Sequence, residues 1–363
     1  MIPIYKPMIE EDDIKAICET AKTGWVSSRG ENIVKFESEF SNYVGMKYGI
    51  ATSNGTTALH LALAALGIHE GDEVIVPDFT FVSPVNAVLY QGAKPVLVDS
   101  ESQTWGMDPK KILRAITPKT KAIIVVHVYG NPAMLDEIRE IAEERSIYLI
   151  EDCAESIGAK LHGKRVGAFG IISCFSFYGN KIITTGEGGM CLTNDRDLDS
   201  KIRMLRDHGM SVDKRYWHEI IGYNYRMTNI QAALGLSQLS KINRILDRKK
   251  EIANIYYENL PGNVETYLKN DFSESVFWLF SILSRTNIDK QLVLNALERN
   301  GYETRPFFFP VHSMPPYLKY VNKSQLFTVS EHLSNVGLNL PSYPELSDSQ
   351  VIGVCDTVKS AFK

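Results

Sequence analysis

A chain of 363 residues, of which 44% are hydrophobic and 23% charged, has enough apolar material for a large folded core, which excludes an intrinsically disordered protein. The formal net charge of −4 and the lack of a long Lys/Arg tract argue against a nucleic-acid-binding surface. No apolar run reaches the roughly 18–20 residues of a membrane span, and the N-terminus lacks the order of a signal peptide, so we expect a cytoplasmic protein without a membrane partner.

The first two-thirds of the chain alternate short apolar runs with helical patterns. The strand-like runs are 74–76, 95–98, 122–126 and 147–150, and the helical patterns are 57–66, 109–116 and 134–145. The runs are rich in β-branched residues and almost wholly apolar, which is typical of strands buried on both faces of a parallel sheet. The β-α-β-α order predicts an α/β fold with helices on both faces of a large, mostly parallel sheet.

The last third has a different pattern. Residues 231–254 form a long helical pattern, which predicts one helix leading to a second domain. Beyond it we predict a strand at 278–283 and helices at 290–300 and 350–362. The length also favours two domains, so we divide the chain into a large α/β domain (1–245) and a smaller α+β domain (246–363).

The stretch 173–190 carries the strongest chemical signal. An alternating strand leads to Lys181, and a glycine-rich turn and a second apolar strand follow. This arrangement predicts a lysine in a tight loop between two core strands, where partial burial lowers the pKa of the amine and frees it to attack carbonyl groups. From these residues alone, a surface lysine in a hairpin remains the alternative.

Two further segments have features of a ligand site. Glu151 and Asp152 directly follow a buried strand, and a carboxylate there needs a cationic partner, such as a protonated pyridine nitrogen, unless it caps the next helix. Asn54-Gly55 opens a helix rich in alanine and leucine, and free N–H groups at a helix start bind phosphate, although such residues also cap helices without a ligand. The five cysteines are scattered and form no C-x-x-C pair, so we predict no metal site.

Together, these segments resemble the DegT/DnrJ/EryC1/StrS family of sugar aminotransferases over essentially the whole chain. The most specific matches are 53–59, 151–155, 176–181 with 186–189, and 222–227. The resemblance implies a fold-type-I, aspartate aminotransferase-like transferase that depends on pyridoxal 5'-phosphate (PLP). It also implies a nucleotide-linked keto sugar as substrate and L-glutamate as amino donor.

The resemblance assigns roles to individual residues. Lys181 would link covalently to PLP and move protons, and Asp152 would pair with the pyridinium nitrogen. The other implied cofactor contacts are Gly55, Thr56 and Ser176 at the phosphate, Phe81 on the ring, Glu155 near the ring oxygen, and Asn224, which reaches the phosphate from a second subunit. Asn224 therefore implies a homodimer with shared active sites. Many family members have glutamine where this chain has Glu155, and a carboxylate there accepts a hydrogen bond only from a protonated partner.

The sugar-binding residues are less specific. The predicted candidates are Trp25, Arg29, Arg305, His312 and Tyr317. For Phe81 and His312, ordinary packing is the alternative. Amination of another nucleotide sugar, or at C3 instead of C4, stays open, as does a non-catalytic relative. A nicotinamide-dependent oxidoreductase would suit the α/β pattern but lacks its glycine fingerprint.

Overall fold

The computed structural model describes residues 1–211, 213–267, 272–321 and 324–362. The strands are β1 (Tyr48–Thr52), β2 (Glu73–Pro77), β3 (Lys94–Val98), β4 (Thr120–Val126), β5 (Tyr148–Asp152), β6 (Lys160–Leu161), β7 (Lys164–Arg165), β8 (Ile172–Ser176), β9 (Gly189–Thr193), β10 (Val264–Glu265), β11 (Ser273–Glu274), β12 (Phe280–Ser284), β13 (Arg305–Pro306) and β14 (Gly337–Leu340).

The α-helices come in the same chain order. They are α1 (Glu11–Lys22), α2 (Glu31–Val44), α3 (Gly55–Ala65), α4 (Ser83–Tyr90), α5 (Pro109–Ala115), α6 (Leu135–Glu144), α7 (Arg196–Arg206), α8 (Asn229–Ser240), α9 (Ile242–Asn259), α10 (Asn287–Arg299), α11 (Thr328–Val336) and α12 (Asp348–Ser360). Short 3-10 helices cover Val128–Gly130, Val311–Ser313 and Pro315–Tyr320. Among the described residues, no helix is both long enough and apolar enough to span a bilayer.

A seven-stranded sheet in the order β1-β9-β8-β5-β4-β2-β3 forms the centre of the protein. β3, β2, β4, β5 and β8 pair in parallel, and β9 runs antiparallel between β8 and β1. The predicted large, mostly parallel sheet is therefore confirmed. In parallel strands the carboxyl ends lie at one edge of the sheet, so the residues that follow β2, β5 and β8 come close together.

Side chains of the sheet alternate between two cores because successive residues in a strand point to opposite faces. Ile124 and Ile150 pack in one core with α3, whereas Ile123 and Leu149 pack in another with α5 and α6. Helices therefore cover both faces of the sheet, as predicted. The four strands and three helices predicted in this part of the chain lie within two residues of their predicted ends.

The C-terminal part forms a four-stranded antiparallel sheet in the order β10-β12-β14-β13, and α9 and α10 pack close to α12. The predicted strand at 278–283 begins later, at Phe280, because Phe277 has a φ of 48° and turns the chain just before it. β11 pairs with β6 across the proposed domain boundary, which itself falls in the first turn of α9. The division into 1–245 and 246–363 stays a proposal.

The prediction of one helix over 231–254 is wrong. Two helices, α8 and α9, meet at Lys241, whose φ of −103° and ψ of 0° interrupt the helical geometry. The Nζ atom of Lys241 lies 2.5 Å from Asp13 Oδ2 and 3.4 Å from Glu10 Oε2, at the start of α1. The apolar face continues across this break, so hydrophobic periodicity alone does not reveal it.

Candidate active site

Lys181 lies in the loop between β8 and β9. Hydrogen bonds from Phe177 N–H to Gly188 O (2.8 Å) and from Thr185 N–H to Phe177 O (2.9 Å) close this loop. The Lys181 side chain is only 12% exposed, and burial lowers the pKa of its amine. The structure thus places this lysine in a buried loop at the carboxyl edge of the sheet, which excludes the alternative of a surface lysine.

Two carboxylates lie near this amine. Glu155 Oε1 is 3.9 Å from Lys181 Nζ. Asp152, the last residue of β5, is 5% exposed. Burial raises the pKa of its carboxyl group, and the positive charge of Lys181 opposes this rise. Asp152 Oδ1 accepts a hydrogen bond from Ala154 N–H (3.0 Å), whereas Oδ2 has no hydrogen-bond partner among the described residues. A buried oxygen of this kind suits a cationic ligand.

Glu155 has an unusual protonation behaviour. Its Oε2 accepts a hydrogen bond from Tyr129 N–H (2.7 Å), and burial raises its pKa to about 7 despite the nearby positive charge of Lys181. The acid is therefore partly protonated near neutral pH. A protonated Glu155 can donate a hydrogen bond to a ligand oxygen.

The start of α3 forms a cradle beside the end of β8. The Asn54 side chain caps the helix by accepting a hydrogen bond from Thr57 N–H (2.9 Å), and Ala58 N–H donates to Asn54 O. The N–H groups of Gly55 and Thr56 have no hydrogen-bond acceptor among the described residues. A Cβ atom added at Gly55 would lie 2.8 Å from Ser176 Cβ, so glycine is needed for helix and strand to approach this closely.

These features fit PLP group by group. The free N–H groups at the helix start would hold its phosphate, and the unpaired oxygen of Asp152 would accept a hydrogen bond from its ring nitrogen. The Lys181 amine supplies the nucleophile that its aldehyde requires. The residues present therefore match the charge and hydrogen-bonding groups of the cofactor.

The family model of the "DegT/DnrJ/EryC1/StrS aminotransferase family" matches residues 7–359. The chain belongs to this family. Its members are PLP-dependent aminotransferases, so this aminotransferase uses PLP. Among curated relatives, GDP-perosamine synthase of Escherichia coli O157:H7 is 46% identical over 99% of this chain and 98% of its own length. GDP-perosamine synthase of Vibrio cholerae is 42% identical over 100% and 99%.

Solved structures agree with this assignment. A Streptococcus pneumoniae protein described as a sugar aminotransferase, in its PLP form, superposes with a TM-score of 0.94. It is 26% identical, and the match covers 99% of this chain and 98% of that one. This likeness confirms the predicted fold of a PLP-dependent transferase.

Three residues that contact Lys181 or Glu155 could not be identified from the sequence. Trp278 lies with its ring centre 3.9 Å from Lys181 Nζ, and its Nε1–H donates a hydrogen bond to Asn180 O (2.6 Å). Tyr5 donates its hydroxyl hydrogen to Lys181 O (2.6 Å). Tyr129 holds Glu155 through its N–H group and has a φ of 54°, which is rare outside glycine. A positive φ leaves no mark in the sequence of a tyrosine.

Other predicted site residues have different surroundings. Phe81 is exposed, and its ring centre lies 6.3 Å from that of Phe308. Asn224 is exposed and accepts a hydrogen bond from Arg226 Nε–H (3.1 Å). Trp25 and Arg29 are exposed as well. The cofactor and substrate roles of these residues stay predictions.

Three predicted sugar-site residues lie in the C-terminal part. His312 Nδ1 is 2.8 Å from Asp78 Oδ2, and Tyr317 donates a hydrogen bond to Asn86 Oδ1 (2.8 Å), so both side chains already have partners within the protein. Arg305 has no ion pair among the described residues, although its charge acts on Lys181 and Glu155. Of the three, Arg305 is therefore the most available for an anionic substrate group.

A cluster of possible metal ligands lies behind the site. His127, Glu151 and Cys153 bring one ligand atom each within 4.8 Å of one another. However, Glu151 accepts hydrogen bonds from the N–H groups of Gly167 (2.7 Å) and Gly170 (2.6 Å), and His127 Nε2 lies 3.3 Å from it. The geometry is that of a buried hydrogen-bond network, and the prediction of no metal stays a prediction.

Replacing Glu155 should change the pH dependence of stability. Between pH 4.5 and about 7 the folded, cofactor-free protein keeps a proton that the unfolded chain has lost, so the free energy of unfolding falls as pH rises through this window. In Glu155→Gln this contribution disappears, a difference of up to about 3 kcal/mol. Urea denaturation of both proteins at pH 5, 6, 7 and 8 measures this difference in the free energy of unfolding. Parallel pH profiles of the two proteins would contradict the raised pKa.

Adding a methyl group at Gly55 should weaken cofactor binding. Gly55→Ala places a Cβ atom 2.8 Å from Ser176 Cβ, and overpacking of this size costs about 1–3 kcal/mol, so we expect an affinity for PLP that is ~5- to 150-fold lower. Absorbance titration of the cofactor-free protein measures it. Gly262→Ala, with no atom within 4 Å, is the matched control. Equal affinities in the two variants would show that the cradle does not bind the phosphate.

Proposed function

We propose that this aminotransferase converts GDP-4-keto-6-deoxymannose into GDP-perosamine, with L-glutamate as amino donor. The observation that carries the proposal is the full-length similarity to several relatives named GDP-perosamine synthase. A cytoplasmic location belongs to the same proposal.

The residues at the site suit amino transfer. Bound PLP supplies a carbonyl carbon for the amino group and a protonated ring that withdraws electrons. Lys181, as a neutral amine, would take up the proton that leaves the donor carbon and would give it back to complete the transfer, which its lowered pKa permits. Asp152 keeps the ring nitrogen protonated through its unpaired oxygen. Trp278 covers the amine of Lys181 and excludes water from it.

The sugar substrate is tested by product analysis. The enzyme is incubated with L-glutamate and GDP-4-keto-6-deoxymannose, or with UDP- and dTDP-linked 4-keto-6-deoxy sugars in parallel. Mass spectrometry should show the 4-amino sugar with the GDP substrate and at least ~100-fold less product with the others, a difference of about 2.7 kcal/mol in transition-state binding. Preferential amination of a UDP- or dTDP-linked sugar would assign the enzyme to another branch of the family.

A second subunit completes the site in this proposal. Asn224, which would reach the phosphate of the neighbouring subunit, lies in a segment with large exposed side chains, namely Tyr216, Trp217 and Ile221, the last 93% exposed. Exposed apolar clusters of this kind mark interaction surfaces. Light scattering should therefore give twice the 40.8 kDa of one chain. A monomer with full activity would exclude a shared site.

A further inference from the structure

Lys249, in α9, is the most buried lysine among the described residues, with 1% exposed. Its Nζ atom donates hydrogen bonds to Ser342 O (2.5 Å) and Trp278 O (3.3 Å). It also lies 5.4 Å from the centre of the Tyr5 ring. No carboxylate of the described residues forms an ion pair with it. This lysine thus binds three separate segments of the chain and has no countercharge.

A lysine at such a position is costly. Burial lowers the pKa of Lys249 to about 7, because the ammonium group has lost its water without gaining an opposite charge. Methionine would fill a similar volume without this cost. What methionine lacks are N–H donors for the carbonyl groups of Trp278 and Ser342. Lysine is therefore needed at this position because its amine binds the backbone at both Trp278 and Ser342.

Two of the three segments that Lys249 contacts also hold the loop of Lys181. Trp278 donates a hydrogen bond from its ring to Asn180 O (2.6 Å), and the same ring lies over the amine of Lys181 at 3.9 Å. Tyr5 donates its hydroxyl hydrogen to Lys181 O (2.6 Å). Both aromatic residues thus connect the reactive loop to one buried amine.

We propose that Lys249 is a positioning residue for the Lys181 amine. It fixes the Trp278 backbone and the Tyr5 ring, and these two residues fix the backbone at Asn180 and Lys181. Lys249 acts only through its neighbours and is not a catalytic residue itself. The inference rests on the role proposed for Lys181 but not on the identity of the sugar.

The test compares two buried lysines. Lys290, in α10, also donates to a backbone carbonyl, Ser334 O at 2.7 Å, but it lies in the small sheet region and contacts neither Trp278 nor Tyr5. Lys249→Met and Lys290→Met should both lower the melting temperature. Competitive acetylation of the cofactor-free protein, followed by mass spectrometry of the Lys181 peptide, gives the titration midpoint of the Lys181 amine in each variant.

We expect the midpoint to rise by about one pH unit in Lys249→Met, because a looser loop exposes the amine to water, and to stay unchanged in Lys290→Met. In the PLP-loaded enzyme the single-turnover rate with L-glutamate should fall at least ~10-fold in Lys249→Met, since misplacing a reacting group by about 1 Å costs up to ~100-fold. Lys249→Arg should restore most of the original titration midpoint and of the single-turnover rate, because arginine can donate hydrogen bonds to the carbonyl groups of Trp278 and Ser342.

Equal midpoints in Lys249→Met and Lys290→Met would overturn the proposal. If Lys249→Met does not fold, Tyr5→Phe decides, because it keeps the ring and removes only the hydrogen bond to Lys181 O. It should also raise the midpoint, and an unchanged midpoint there would equally overturn the proposal. A failure to aminate GDP-linked sugars would not affect these labelling results, so the two proposals fail separately.

Discussion

Lys181→Ala should lose turnover by at least ~10⁴-fold, the upper range for removing a positioned acid–base group. No other described amine lies at the same place, because Lys249 is held behind the site and donates to backbone carbonyls. The fold should persist, since the Lys181 amine contributes one long ion pair, to Glu155 at 3.9 Å, and one contact with the Trp278 ring. Steady-state assays of amino transfer and circular dichroism measure the two effects.

The controls separate loss of the amine from loss of the cofactor. PLP should remain bound in Lys181→Ala, because the free N–H groups of Gly55 and Thr56 do not depend on the lysine. Lys35→Ala, which removes an exposed lysine paired with Glu31, is the matched surface variant and should behave as the parent protein. Added methylamine should restore part of the rate in Lys181→Ala. A variant that keeps full turnover would refute the assigned role.

Asp152→Asn should reduce turnover by ~10²–10³-fold, in the range found for removal of one group that stabilises charge in a transition state. The substitution is close to isosteric. Oδ1 can keep its hydrogen bond from Ala154 N–H, and only the unpaired oxygen, Oδ2, is replaced by an NH₂ group. That group donates hydrogen bonds and cannot accept one from the N–H of a pyridinium ring. The electron-withdrawing ring is therefore lost while the local structure stays.

Ultraviolet–visible absorbance provides the control for Asp152→Asn. The variant should bind PLP, because the phosphate cradle is unchanged, but its half-reaction with L-glutamate should be slow. Burial of a carboxylate is unfavourable, which is why the pKa of Asp152 is raised. Asp152→Asn removes this buried charge, so the melting temperature of the cofactor-free variant should be equal to that of the cofactor-free parent protein or higher. A half-reaction as fast as in the parent protein would show that Asp152 does not hold the ring nitrogen.

Local patterns suffice to predict the elements that carry the chemistry. The buried strand before Asp152 is recognisable as a short apolar run, and the strand before Lys181 as an alternating pattern that leads into a glycine-rich turn. The helix start at Gly55 is recognisable because Asn-Gly before an alanine-rich run is a strong signal. The break at Lys241 is not recognisable, because the apolar face continues across it. The ion pairs of Lys241 at this break are with Glu10 and Asp13, which lie far away in the sequence.

Contacts across the chain cannot be predicted in this way. Trp278 is 98 residues from the carbonyl group that it binds, and Tyr5 is 176 residues from Lys181. Neither separation leaves a local pattern, and the apolar run places Trp278 in a strand that begins two residues later. The partners of His312 and Tyr317, which are Asp78 and Asn86, are also distant in the sequence, and the role of these two residues at the sugar stays a prediction.

The residues that hold Lys181, Tyr5 and Trp278, lie far from it in the sequence, and this has a consequence for biosynthesis. While the ribosome is still making the chain, the helix start at Gly55, the acid at the end of β5 and the lysine emerge before Trp278. Until that tryptophan docks, the amine faces water and keeps an ordinary basicity, so a nascent chain should capture PLP slowly. The holoenzyme should therefore form only after Trp278 has docked, and a bulky tag fused ahead of Tyr5 should delay it.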